Sequence, residues 1–251
     1  MSIISLLYGI VLDALFPLSV VEETILSSSP EEAYRQLPPA PGYEGLAIDL
    51  PWTKSLFSYK DERVAKLVWN IKYKKSPQAI KVGGYALWRE LVSTTTEQMG
   101  FSLPLVVIPI PITKKRRRER GYNQCELLAD EIERLDDSSQ FQIERNLLVR
   151  IHHASRQTLK GRKDRVESAR GIFAVNKKAI AKLRIQMLKN LKSKNSHGQF
   201  MNNEQDNEIP LKNIPLIIID DVITTGSTMF EAMETLKKAG FDDVHGLSLA
   251  H

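Results

Sequence analysis

Apolar residues fall along this chain in two rhythms. Leu105-Val106-Val107-Ile108, stopped by Pro109, and Leu216-Ile217-Ile218-Ile219 are short, wholly apolar runs. A strand covered by helices on both faces reads this way, because alternate side chains enter two separate apolar layers. Val244 to Ala250 predicts a further strand, as do Leu147 to Val149 and Ile172 to Val175. Between these runs the apolar positions recur every three or four residues. Val64, Leu67, Val68 and Ile71 mark one helix, Ala86, Leu87 and Leu91 a second, and Leu128, Ile132 and Leu135 a third that follows Gly121. Met229, Met233 and Leu236 mark a fourth, with Thr228 and Glu231 at capping-box spacing, Lys237-Lys238 in the last turn and Gly240 as its stop. Alternation of such elements from about residue 100 onward predicts an α/β fold with a mostly parallel sheet flanked by helices.

Two stretches depart from that rhythm. Residues 1–58 predict an appended amino-terminal segment, ahead of the main domain at 59–251. Within it, Ile4, Leu7, Tyr8, Val11, Leu12 and Leu15 share a helical face interrupted by Asp13 and Pro17, which suits a packing helix rather than a membrane span or a signal peptide. Residues 22–45, rich in Ser, Pro and Glu, read as a loop or linker. Residues 177–213 read as an insertion. Ile180, Leu183, Met187 and Leu191 allow a helix in its first half, and the polar stretch from Ser193 to Glu208 predicts a mobile surface segment.

Composition narrows the chemistry little. The 251 residues carry a net charge of +5, compatible with nucleic acid or with phosphorylated small molecules. Cys125 is the single cysteine, so neither an internal disulfide nor a multi-cysteine metal site exists, and a small buried helix residue is expected there. His152 and His153 are adjacent and point apart on any regular element. A cytoplasmic location is expected.

The candidate chemistry lies where the strongest strand ends. Asp220-Asp221 follow Ile219, and Thr224-Thr225-Gly226-Ser227-Thr228 then lead into a helix. Ligands of open α/β sheets bind at this carboxyl edge. Backbone N–H groups, hydroxyls and a helix amino terminus suit a phosphate dianion, and Gly226 lets the backbone come close to it. The two acids repel phosphate. They suit neutral hydroxyls that need acceptors, such as the 2′ and 3′ groups of a ribose. The glycine-lysine element of a Walker loop and the dinucleotide fingerprint are both absent.

This strand, acid pair and TTGST stretch resembles the phosphoribosyl pyrophosphate (PRPP) motif of type I phosphoribosyltransferases. Further segments resemble the competence-associated, amidophosphoribosyltransferase-related ComF/GntX family. They are Val11 to Pro17, Tyr59 with Leu67 to Tyr73, Val107-Ile108-Pro109-Ile110-Pro111, Arg118 to Gln124, Arg156-Gln157-Thr158-Leu159, and Arg162 to Phe173. The resemblance implies a type I phosphoribosyltransferase fold. It implies that Pro109, Ile110 and Pro111 line the substrate site and that Lys114 to Arg120 form a pyrophosphate loop, Arg120 being the best single candidate there. It also implies that Arg156 to Arg170 form a hood in which Arg156 and Arg162 reach the substrate, and that Mg²⁺ sits on pyrophosphate and ribose oxygens, with Asp220 or Asp221 as the nearest protein carboxylates. The four-cysteine zinc finger common in the family has no counterpart after Pro17, and no structural zinc is expected.

Two functions follow. The first is Mg²⁺-dependent phosphoribosyl transfer in which Arg120, Asp220 and Asp221 serve catalysis. The second is binding of PRPP or a nucleotide without turnover, as an accessory to DNA uptake, with competence proteins as partners and weak contact with nucleic acid.

Overall fold

The computed structural model describes residues 19–42, 50, 52–97, 103–151, 171–194 and 209–251. The expected helix over Ile4 to Leu15 falls on residues outside these, and so does the expected mobile segment from Ser193 to Glu208, apart from Ser193 and Lys194, which end a helix.

Two short helices open the described chain, α1 (Val20–Ser27) and α2 (Pro30–Gln36). Residues 22–45 were expected to be a loop, and these helices correct that. The physical reason is capping. Ser19 and Ser29 each accept from the backbone three residues on, and Glu22 and Glu32 reach back to the cap N–H groups. Ser, Pro and Glu here are helix-start residues, which a compositional reading mistakes for a linker.

Next come β1 (Thr53–Phe57), α3 (Glu62–Trp69), a π-helical turn at Asn70–Lys74, and α4 (Pro77–Glu97). Strand β2 (Leu105–Pro109) is followed by α5 (Lys114–Arg120), α6 (Gln124–Leu135) and β3 (Phe141–Ile143). Then β4 (Leu148–Arg150), β5 (Phe173–Val175) and α7 (Lys177–Lys194) lead to β6 (Leu216–Val222), α8 (Ser227–Lys238) and β7 (Val244–Ala250).

Five strands form one parallel sheet in the order β1-β7-β6-β2-β3, flanked by helices. The mostly parallel α/β expectation therefore holds, with β2 against β6 and β6 against β7. Strands β1 and β3 were not foreseen. Thr53–Phe57 and Phe141–Ile143 mix polar and apolar residues because each occupies a sheet edge and meets only one neighbour. The candidates at 147–149 and 172–175 do form strands, but they pair antiparallel in a separate ribbon.

Alternation along the strands explains the all-apolar runs. Leu105, Val107, Ile217, Ile219, Leu247 and Leu249 face a core shared with α1 to α4 and α6. Val106, Ile108, Leu216 and Ile218 face a second core with α7 and α8. Leu183 and Met187 of α7 are fully buried there, so the helical half of the 177–213 segment packs on the sheet. Gly83 and Gly84 let α4 lie close against α6: a Cβ on Gly83 would meet Leu128 Cδ2 at 2.9 Å, and one on Gly84 would enter the Glu131 side chain.

Topology places the site. From β2 the chain moves outward to β3, whereas from β6 it moves the other way to β7. Connections diverging from adjacent parallel strands leave a crevice at their carboxyl ends, here between β2 and β6.

Candidate functional site

Pro109 ends β2 beside Ile219, and the next residue, Ile110, donates its N–H to Ile219 O at 3.0 Å. This pairing holds the Pro109-Ile110-Pro111 segment against the acid pair. Asn123 secures it from behind, donating from Nδ2 to Ile110 O at 3.0 Å while its Oδ1 caps α6 through Cys125 N–H at 3.1 Å. Asn123 thus shapes the loop.

Asp220 and Asp221 are 9% and 3% exposed, more deeply set than hydroxyl acceptors on an open edge would be. Each carboxylate turns back onto the following backbone N–H: Asp221 N–H donates to Asp220 Oδ1 at 2.8 Å and Val222 N–H to Asp221 Oδ1 at 2.9 Å. Beyond that they differ. Lys72 Nζ lies 3.1 Å from Asp221 Oδ2, an oxygen that accepts no hydrogen bond. Cys125 Sγ lies 3.5 Å from Asp220 Oδ1. Burial, and then the neighbouring Asp221 charge, push the Asp220 carboxyl up to about 8. The Cys125 thiol is raised well above its ordinary value by burial and by the two acids, so it is a neutral, buried group, as a lone helix cysteine was expected to be. Ligand atoms of Cys125, Asp220 and Asp221 all lie within 4.8 Å of one another.

Lys72 was not singled out by the sequence reading. Its Lys-Tyr-Lys-Lys context reads as a solvated helix end. Structurally the π-helical turn rotates it inward. Tyr122 holds this turn by donating its hydroxyl to Ile71 O and Lys72 O at 3.2 and 3.0 Å. Asn70, which opens the turn, donates to Glu22 Oε1 of α1 and to Lys66 O, both at 2.9 Å.

The hydroxyl turn leads straight into α8. Thr224 is exposed, Thr225 Oγ1 and Ser227 Oγ are 2.9 Å apart, and Gly226 has φ +80°. The helix begins at Ser227 with Gly226 as its cap, and no side chain caps it. The expected capping box of Thr228 with Glu231 is therefore absent. Glu231 instead accepts a hydrogen bond from Gly171 N–H, beside the β4–β5 ribbon. A helix start without a side-chain cap keeps backbone N–H groups available to an anion. Leu50 covers Gly226 from the other side, 2.8 Å from where a Cβ would stand.

The basic run is a helix, α5, rather than a loop. Thr113 caps it and Gly121, at φ +80°, ends it. Arg117 pairs with Glu126 at 2.8 Å. Arg120 donates to Gln124 Oε1 at 2.9 Å and lies 5.0 Å over the Tyr73 ring. It therefore joins the acid pair only through the turn that carries Lys72. Arg156 and Arg162 lie outside the described residues.

No family model matches the chain. The chain is similar to Competence protein F of Haemophilus influenzae. The two are 30% identical over 148 residues, 59% of this chain and 51% of that protein, so the match spans about half the length of the relative. This likeness supports the ComF-type resemblance. No helix among the described residues is long and apolar enough to cross a membrane.

Proposed function

We propose that the chain binds a 5-phosphorylated ribose, PRPP in the first instance, and transfers its phosphoribosyl group. The reading rests on one observation: an acid pair at the topological switch point runs directly into a hydroxyl turn and a helix start without a side-chain cap. Thr224, Thr225, Gly226, Ser227 and Thr228 take the 5′-phosphate, which needs donors. Asp220 and Asp221 take the ribose hydroxyls, which need acceptors, and Pro109 to Pro111 form the opposite wall. Arg120, with Arg156 and Arg162, supplies positive charge toward pyrophosphate. In the transfer, a nitrogen lone pair of the acceptor bonds to C1, the C1–O bond breaks with its electrons leaving on pyrophosphate, and the nitrogen's proton passes to solvent.

The donor set fits Mg²⁺. Asp221 Oδ2 faces only the Lys72 ammonium, and the two carboxylates are hard oxygen donors of the kind Mg²⁺ takes. Asp220 and Asp221 are the residues that would hold the ion alongside ligand oxygens, and its charge would stabilise the departing pyrophosphate.

Calorimetry with PRPP, ribose 5-phosphate and pyrophosphate, each with Mg²⁺, tests the binding. Asp221→Asn is expected to weaken ribose 5-phosphate about ten- to a hundredfold, the cost of a charged hydrogen bond. Binding of neither sugar phosphate by the native chain would remove the reading. Pyrophosphate release across a panel of bases tests turnover.

A second reading, an accessory that holds single-stranded nucleic acid, gains from a cluster that separate sequence positions hide. The sequence shows no aromatic platform, yet Trp69 and Tyr73 lie side by side, their ring centroids 5.9 Å apart and their planes tilted by 45°. Lys74 lies 5.4 Å over Trp69 and Lys75 lies 5.5 Å over Tyr122. Tyr73 is 54% exposed. Stacking surfaces interleaved with cations are what an unpaired strand uses. Fluorescence anisotropy with oligothymidylate separates the readings: Tyr73→Ala should weaken it if this surface is used, and a salt-independent signal would argue against it.

A further inference from the structure

The arginines of this protein divide by partner. Arg63, Arg117, Arg134 and Arg145 each meet a carboxylate. Arg118, Arg120 and Arg150 instead direct their guanidinium groups to Lys114 O, Gln124 Oε1 and Pro111 O.

Arg150 is the most telling of these. It closes β4, and its guanidinium is half-buried, stacked 5.2 Å from the Phe173 ring of β5. Its hydrogen bond, to Pro111 O at 3.4 Å, is long. Pro111 belongs to the segment that lines the crevice opposite the acid pair. Burial holds the Arg150 guanidinium below its ordinary value, the neighbouring Arg116 charge adds to this, and Asp220 opposes it. Arg150 therefore feels both a second cation and the Asp220 carboxyl, and it has five donors to one weak acceptor. A desolvated guanidinium without a carboxylate is costly unless an anion arrives. Its planar fork matches two oxygens of a phosphate group.

Resting on the phosphoribosyl reading above, we infer that Arg150, supported by Arg116, grips the diphosphate group of the ligand at the Pro109–Pro111 wall of the crevice. The β4–β5 ribbon then has a purpose in the fold. It leaves the main sheet and places one arginine across from the acids, with Phe173 fixing the guanidinium plane. The subsites divide by charge: the turn before α8 takes the 5′-phosphate, the acids take the hydroxyls, and Arg150 takes the diphosphate.

The test uses the full chain and two probes, inorganic pyrophosphate and ribose 5-phosphate, by calorimetry with Mg²⁺. Arg150→Gln should weaken pyrophosphate about ten- to a hundredfold and leave ribose 5-phosphate within about twofold. Arg150→Lys, which keeps the charge over Phe173, should recover part of the loss, and Arg116→Gln should weaken pyrophosphate less. Equal weakening of both probes by Arg150→Gln, with Arg150→Lys no better, would reduce Arg150 to a structural role. Unchanged pyrophosphate affinity in Arg150→Gln, with ribose 5-phosphate still bound, would overturn the inference and leave the phosphoribosyl reading standing. Native protein that binds neither probe would remove both.

Discussion

Lys72 Nζ stands 3.1 Å from Asp221 Oδ2, joining the turn after α3 to the end of β6 across 149 positions of sequence (221 − 72). The pair is the electrostatic centre of the site, and the acid side chain is only 4% exposed. Removing the ammonium strands a buried carboxylate. Lys72→Met is expected to cost about 2–3 kcal/mol of unfolding free energy, below the value for a fully buried pair because a fifth of the lysine is exposed. Lys72→Met combined with Asp221→Asn should recover most of the loss, since no charge is then stranded. Urea denaturation of the four proteins in the cycle checks this, and simple additivity would contradict it.

Asp220 makes stability depend on pH. Its carboxyl is pushed up from 3.8 to about 8 in the folded chain, by burial first and the Asp221 charge second. Between those values the folded state holds a proton that the unfolded state has released, so stability falls as pH rises from about 4 to about 8. Asp220→Asn keeps the shape and removes the titration. Its unfolding midpoint should match the native protein near pH 4 and exceed it near pH 8. A variant whose midpoint tracks the native curve across that range would show that Asp220 is not the group responsible.

Gly226 is constrained twice. Its φ of +80° disfavours any side chain, and Leu50 stands where a Cβ would go. Gly226→Ala is expected to cost about 1–2 kcal/mol from the backbone alone, with a further loss from Leu50. Leu50→Ala should relieve the second part only. Thermal unfolding of the single and double variants distinguishes the two, and full rescue by Leu50→Ala would show that the backbone term is negligible.

Gly84 tests the packing behind the site. Alanine in a helix gains about 1 kcal/mol over glycine. Here the new Cβ would enter Glu131 near its own Cβ, where the side chain cannot swing away. Overpacking costs about 1–3 kcal/mol, so a net loss of stability is expected. It should leave the ratio of ribose 5-phosphate to pyrophosphate affinity unchanged, because α4 and α6 would move away from each other behind the sheet. A stabilised variant would mean that the helices separate at no cost.

Strands β2, β6 and β7 were legible because both of their faces are buried, which makes Leu105 to Ile108 and Leu216 to Ile219 wholly apolar and leaves β7 mostly so. Strands β1 and β3 were not, since an edge strand has one neighbour and tolerates Lys54, Ser55 and Gln142. Helices α1 and α2 were missed for another reason. Their stability comes from the Ser19–Glu22 and Ser29–Glu32 caps and from burial of Ile25 and Ala33 against the first core. Neither effect is visible in a tally of Ser, Pro and Glu.

The acid pair and the hydroxyl turn could be read from the sequence alone, because contiguous residues dictate their own chemistry: a strand end, two carboxylates, then donors at a helix start. Lys72, Tyr122 and Arg150 could not. Each belongs to a different stretch and reads locally as an ordinary surface residue. Only chain folding places the ammonium on Asp221, the phenol under the Lys72 turn and the guanidinium beside Pro111. The sequence by itself determined which groups stand at the end of β6. The tertiary structure decided which charges face them, because charge pairing depends on distance through space, and the sheet order brings together elements far apart in the chain.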